Sequence, residues 1–160
     1  MEVLTNGVVW AVIGAVLAVL LAGIASARGV GMVGEAAAAL TTEEPDKFGK
    51  AILLQALPGT QGIYGLIVAF MILLKVGLIG GGAPDVSFSD GIVLFLSALP
   101  IAFGGYFSAM YQARVAVRGI SMIAKRPEEL SKGIVFSAMV ETYAVLSLLV
   151  SLLIIFGLTI

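Results

Sequence analysis

Phe136-Ser137-Ala138-Met139-Val140-Glu141-Thr142-Tyr143-Ala144-Val145-Leu146 holds one carboxylate in a run that is otherwise apolar, small or neutral, and the nineteen residues after Glu141 carry no charged side chain. A stretch of this kind is long enough to cross a bilayer, which takes about 20 apolar residues in a helix. A carboxylate placed there costs about 3 kcal/mol on insertion scales, so it is a functional residue by default. Glu141 therefore poses two questions: what surrounds it, and what offsets its cost.

The rest of the chain is of the same character. Of its 160 residues 60% are hydrophobic and 12% charged, with mean hydropathy +1.12. A soluble domain is about 25% charged, so this is an integral membrane protein. The net charge of -1, without a basic stretch, argues against a nucleic-acid partner. The absence of Cys and His removes disulfides, thiolate chemistry, zinc sites and imidazole bases together. What remains is a buried carboxylate binding a hard cation or a proton.

Four apolar stretches are expected to span, at approximately 8–40, 49–79, 91–123 and 132–159. They divide the chain into a first helical hairpin at 1–79, an outward loop at 80–90 and a second hairpin at 91–160. Ala25-Ser26-Ala27 imitates a leader cleavage site, but the lead Met1–Gly7 has no Lys or Arg. The apolar run from Val8 to Ala27 is also longer than a leader core of 7–15 residues, so it reads as a retained first helix. Basic residues concentrate in two loops: Lys47 and Lys50 flank the first, and Lys125, Arg126 and Lys132 the third, while 79–90 has none. By the positive-inside rule, the loops near 41–50 and 124–132 are cytoplasmic and both termini lie outside. Lys75, near the outer end of the second stretch, runs slightly against this and is expected to snorkel. Gly80-Gly81-Gly82 lacks the lysine and strand context of a phosphate loop and reads as a turn.

The two halves repeat. Pro45 and Pro127 are 82 positions apart, and the same offset pairs Ser26-Ala27 with Ser108-Ala109, Thr60 with Thr142, and Gly59 with Glu141. Both halves run the same way through the membrane, as a parallel repeat does. One copy carries the carboxylate and the other a glycine. Small residues recur along the first stretch (Gly23, Ala25, Ala27, Gly29, Gly31) and the third (Gly104, Gly105, Ala109, Ala113, Ala116, Gly119). In lipid, such residues let backbones pack closely, and their number favours assembly with other subunits over a single bundle.

Polar residues meet Glu141 at its depth. Leu57-Pro58-Gly59-Thr60-Gln61-Gly62-Ile63-Tyr64 is an unusual run for the middle of a span. Pro58 has no N–H to give the Leu54 carbonyl, and Gly59 and Gly62 loosen the helix further. Freed backbone at this depth is tolerated where protein or an ion satisfies it. Thr60 lies 15 residues after Pro45, Glu141 14 after Pro127, and Gln112 15 before Pro127. At 1.5 Å per residue all three stand roughly 21–22 Å along their helices from the charged loops. Hydrogen-bonding between helices explains Thr60 or Gln112, but a glutamine would serve that purpose at position 141. One carboxylate among neutral oxygens suits a monovalent cation better than calcium or magnesium, which recruit more charge or water. The neutral oxygens of Thr60, Gln61, Gln112 and the loosened backbone favour Na+ over a bare proton site. Since the same groups also suit a protonated Glu141, H+ stands as the alternative cargo. Glu35, Arg114 and Arg118 lie nearer the cytoplasmic ends, where pairing with one another or with lipid phosphate is expected.

Three segments resemble a known family: Gly29-Val30-Gly31-Met32-Val33-Gly34-Glu35-Ala36-Ala37, Leu57–Tyr64, and Met139-Val140-Glu141-Thr142-Tyr143-Ala144. Together with the duplicated hairpin they look like the K subunit of bacterial V-type ATPases, the proteolipid or c-type rotor-ring subunit, and are most similar to its sodium-translocating branch. The resemblance implies an all-α membrane protein assembling with identical subunits into a ring. The implied sodium ligands are the Leu57 carbonyl, the Thr60 hydroxyl, the Gln61 and Gln112 side-chain oxygens and the Glu141 carboxylate. Tyr64 would hold Glu141 in its closed rotamer, with Pro58 and Gly59 shaping the backbone beside it. The implied partners are a stator a-type subunit with an arginine, a central-stalk connector and membrane lipid, with ATP hydrolysed on other subunits. A four-helix secondary transporter is the competing class, but such proteins place their glutamate in the first helix and lack the internal duplication.

Overall fold

The two prolines that centre the charged loops each open a three-residue 3-10 turn, Pro45–Lys47 and Pro127–Glu129. Proline suits the start of a helical turn because its missing N–H has no partner there in any case. The structure, a computed structural model, describes residues 5–82 and 85–160. Met1–Leu4 of the tail and Ala83-Pro84 of the middle loop, both used in the charge argument, lie outside the described residues.

Helix α1 runs Gly7–Glu43. After the first 3-10 turn, the second span is α2, Phe48–Ala56, then a 3-10 segment at Leu57–Gly59, then α3, Thr60–Lys75. Helix α4 runs Phe88–Lys125, and α5, after the second 3-10 turn, runs Leu130–Gly157. Among the described residues, four helical spans are thus long and apolar enough to cross a membrane. The 82-residue offset reappears in the element boundaries. Glu43 and Lys125 end α1 and α4, Phe48 and Leu130 begin the return helices, and Lys75 and Gly157 end them. The return spans differ in one respect: the first is broken at Leu57–Gly59 and α5 is continuous. Pro58 accounts for the break, since the equivalent residue, Val140, keeps its N–H.

The second span ends earlier than its hydropathy suggests, at Lys75 rather than near 79. Gly77 takes φ 73, and the Gly77 and Leu78 N–H groups turn back to the Leu74 and Leu73 carbonyls, both at 3.1 Å. This is a Schellman ending, closed by a glycine in the left-handed region. It places Lys75 in the last turn, where its charge complements the helix dipole. Gly80, Gly81 and Gly82 follow with φ of 85, 79 and 128, a connection that residues with a Cβ rarely adopt.

Helices α1 and α4 form the most extensive interface. Ala11, Ala15, Ala18, Ala22 and Ala25 of α1 are buried, and so are Ala109, Ala113 and Ala116 of α4. Much of the small-residue pattern is therefore spent inside one chain. Gly23, Ala27 and Gly31 are exceptions: Ala27 is exposed, and a Cβ on either glycine would meet no atom within 4 Å. Close approach is enforced elsewhere: a Cβ on Gly65 of α3 would lie 2.4 Å from the Ala18 carbonyl oxygen. Two apolar clusters fill the bundle. One joins Ala11–Ala18, Val68–Val76, Leu94–Ile101 and Ile155, and the other, nearer the charged loops, joins Val33–Leu40, Ala51, Leu54 and Ala113–Ile123. The polar residues of the second span sit in the gap between them.

The charged loops differ in one contact. Lys47 is 5% exposed, its ammonium donates to the Ala124 carbonyl at 2.7 Å and it pairs with Glu44 at 2.5 Å. It ties the first loop to the last turn of α4. The equivalent position is Glu129, which instead pairs with Lys132 on the surface.

Candidate ion-binding site

Broken helix, long helix and return helix all bring oxygen-bearing side chains to the gap between the clusters. The 3-10 segment turns the Leu57 carbonyl toward Thr60, which donates both its backbone N–H and, at 3.1 Å, its hydroxyl to that oxygen. Thr60 Oγ1 is also 3.4 Å from Gln61 Oε1. Three oxygens from the five residues Leu57 to Gln61 therefore cluster where Pro58 interrupts the helix. Gln61 itself is fully buried and donates from Nε2 to Gln112 Oε1 at 2.5 Å and to Ser108 Oγ at 3.1 Å. Gln112, also fully buried, donates to Glu141 Oε2 at 3.1 Å. Tyr64, one turn beyond Thr60, donates to Glu141 Oε1 at 2.6 Å.

Leu57, Thr60, Gln61, Tyr64, Gln112 and Glu141 thus form one connected network across three spans. Pro58 and Gly59 lie in its backbone break, and a Cβ on Gly59 would meet only a Val30 methyl, at 3.4 Å. Sequence reasoning missed two hydroxyls. Ser108 accepts from Gln61 and donates to the Val140 carbonyl at 3.1 Å, while Ser137 donates to the Gln112 carbonyl at 3.3 Å. Both could have been found by helical spacing, since Ser108 is four residues before Gln112 and Ser137 four before Glu141. Ser26, the repeat partner of Ser108, accepts from the Gly62 N–H at 2.8 Å and so holds the loosened helix to α1.

The electrostatics are unusual for a membrane carboxylate. Each Glu141 oxygen receives a donor, and a hydrogen bond to a charged group contributes about 1.5–3 kcal/mol. Two such bonds are comparable to the roughly 3 kcal/mol cost of the carboxylate at this depth. They offset its desolvation without neutralising it. Among the described residues the ion pairs are Lys47–Glu44 and Lys132–Glu129, and neither involves Glu141. No group of three or more His, Cys, Asp or Glu occurs there either, as a multivalent metal would favour. The side chain is half-buried, and an open groove lined by Ala138, Thr142, Val145 and Leu146 leads from it to the outer face of α5.

Glu35, Arg114 and Arg118 are exposed, and among the described residues they form no ion pair with one another, the first of the two arrangements expected of them. Arg114 instead lies over the Tyr111 ring, 5.2 Å from its centroid.

Fold and site together define a multi-pass membrane protein whose duplicated hairpin holds one half-buried carboxylate, Glu141, in a net of neutral oxygens. The family model of the ATP synthase C-subunit matches the chain twice, at residues 13–72 and 95–154. Those segments are themselves 82 positions apart, the register of the two prolines. The chain belongs to this family. It is 50% identical over 150 residues to the V-type sodium ATPase subunit K of Enterococcus hirae, covering 94% of this chain and 92% of that one. It is 37% identical over 145 residues to the A-type ATP synthase subunit K of Methanocaldococcus jannaschii, covering 91% of this chain but 61% of that longer relative.

Proposed function

We propose that this chain is a rotor-ring subunit of a V-type ATPase and carries Na+ across the membrane at Glu141. The observation that carries this reading is a carboxylate with two donors and no cationic partner among the described residues, beside the oxygens of Leu57, Thr60, Gln61 and Gln112. A bound monovalent cation supplies the missing positive charge. The similarity to a sodium ATPase subunit favours Na+ over H+ as that cation. Tyr64 then acts as a latch, holding the carboxylate turned inward while the occupied site passes through lipid.

Release requires a competing charge. A stator subunit's arginine, approaching along the open groove at Thr142 and Val145, would pair with Glu141 and free the ion into a half-channel. Moving one charge against 100 mV costs about 2.3 kcal/mol, which ATP hydrolysis on other subunits supplies, so the chain is not itself an enzyme. Identical subunits form the ring, the two charged loops face the cytoplasm and meet a central-stalk connector, and both termini face outward in the cell membrane. The Lys and Arg bias of the loops supports that orientation.

Carbodiimide modification of Glu141 in membranes, with and without Na+ at fixed pH, tests the reading. Sodium is expected to slow the reaction severalfold. Modification that responds to pH alone would transfer the proposal to proton carriage.

A further inference from the structure

Gln61 can serve a cation only through its amide oxygen, yet the oxygen and nitrogen ends of a side-chain amide have nearly the same shape. Whatever decides which end faces Leu57 and Thr60 therefore decides whether the cation has that ligand. Gln61 is fully buried, and its Nε2 end meets two acceptors, Gln112 Oε1 at 2.5 Å and Ser108 Oγ at 3.1 Å. The two are held in different ways. Gln112 takes its orientation from Glu141, to which its own Nε2 donates at 3.1 Å. Ser108 takes its orientation from the main chain, because its single proton goes to the Val140 carbonyl at 3.1 Å, an oxygen that can only accept. With that proton committed, the Ser108 oxygen offers Gln61 a lone pair and suits Nε2, not Oε1. A hydroxyl of α4, only 5% exposed, thus reads a carbonyl of α5 and imposes a direction on a side chain of α3.

The other end of Gln61 then points to where a cation is wanted. Gln61 Oε1 lies 3.4 Å from Thr60 Oγ1, whose proton is given at 3.1 Å to the Leu57 carbonyl. Three oxygens share one hydroxyl proton there, a shortage of positive charge that a cation makes good. Turning Gln61 over would put its NH2 group among them and set its oxygen against Gln112 Oε1, two acceptors with no proton between them. Ser26, the repeat partner of Ser108, does a different task at the next residue: it accepts from the Gly62 main-chain N–H at 2.8 Å and orients no amide.

We propose that Ser108 is a positioning residue for sodium: by linking Gln61 Nε2 to the Val140 carbonyl it keeps Gln61 Oε1 aimed at Leu57 and Thr60, without help from Glu141. This rests on the sodium reading above. When the carboxylate turns out to meet the stator's arginine, Gln112 loses the group that orients it, while Ser108 keeps its carbonyl. The neutral oxygens of the second span are therefore in place before the next ion arrives.

Sodium protection of Glu141 against carbodiimide, titrated in membranes holding the whole complex, tests this. Ser108→Ala removes one hydroxyl from a helix whose packing positions at 109, 113 and 116 are already alanine, so the chain is expected to assemble. Half-protection is expected to need about fivefold more Na+, the worth of one neutral hydrogen bond. Gln61→Met removes the amide, and in that background Ser108→Ala is expected to raise the sodium requirement no further. A merely structural hydroxyl would raise it equally in both. Ser108→Thr, which keeps the hydroxyl, is expected to restore most of the affinity and decides the matter where the double variant does not assemble. An unchanged requirement in Ser108→Ala, an equal rise with and without the Gln61 amide, or a loss in Ser108→Thr as large as in Ser108→Ala overturns the positioning role and leaves the sodium reading standing. A native chain that Na+ does not protect overturns both.

Discussion

Glu141 is held by two residues from two other helices, and each can be removed separately. Glu141→Gln keeps the shape and both neighbours but loses the charge, so sodium-coupled transport and carbodiimide reactivity are expected to vanish while the ring still assembles. Tyr64→Phe removes only the 2.6 Å bond. A bond to a charged group contributes about 1.5–3 kcal/mol, so Na+ protection of Glu141 is expected to need at least tenfold more sodium. An unchanged sodium dependence would show that Tyr64 is no latch. At this scale the sequence was readable wherever chemistry is rare in lipid. A carboxylate, two glutamines and a proline break stand out in an apolar helix, and counting from the loop prolines put Thr60, Gln112 and Glu141 at one depth. Ser108 and Ser137 did not stand out, because a serine in a membrane helix is also a small residue for packing. Lys47 was read only as a marker of orientation. Its burial against Ala124 depends on where α4 ends relative to the first loop, which no single segment encodes.

Two elements break the symmetry of the repeat, and each invites a substitution. Pro58→Ala restores the N–H that would bond the Leu54 carbonyl, so the 3-10 segment is expected to relax toward α-helix and turn the Leu57 carbonyl away from Thr60. Helix stability rises by the removal of a mid-helix proline, about 3 kcal/mol, while sodium affinity falls. Opposite signs in thermal unfolding of the ring and in sodium protection would identify the break as a feature kept for binding. Lys47→Met keeps the stem but loses the bond to Ala124 and the pair with Glu44. A loss of about 1–3 kcal/mol is expected from leaving the carbonyl without its donor, seen as faster proteolysis at the first loop with sodium binding unchanged. Element existence was legible from hydropathy alone, and the positions of the cytoplasmic turns from their prolines. The end of the second span was not, because Val76, Leu78 and Ile79 are as apolar as the helix before them. Only the left-handed Gly77 ends it.

For the whole molecule, the duplication matters more than any one helix. Carbodiimide is expected to attach once per 16.5 kDa chain, not once per hairpin, and intact-mass measurement of the modified protein counts it. A second sodium-sensitive adduct on the chain would contradict the role given to Gly59. The architecture was legible in the sequence because a shared offset links residues of very different kinds, from the loop prolines to the paired serines. The division of small residues between inner packing and outer faces was not, since composition is the same on both sides of a helix. The matched element boundaries also carry a mechanical consequence. A rotor made of these chains has hairpins at near-equal angular intervals, yet only alternate ones bear charge, so its energy during rotation falls into one deep well per chain separated by a wide neutral sector. In gearing terms the wheel has half as many teeth as its outline suggests, and each tooth must transmit a larger share of the torque.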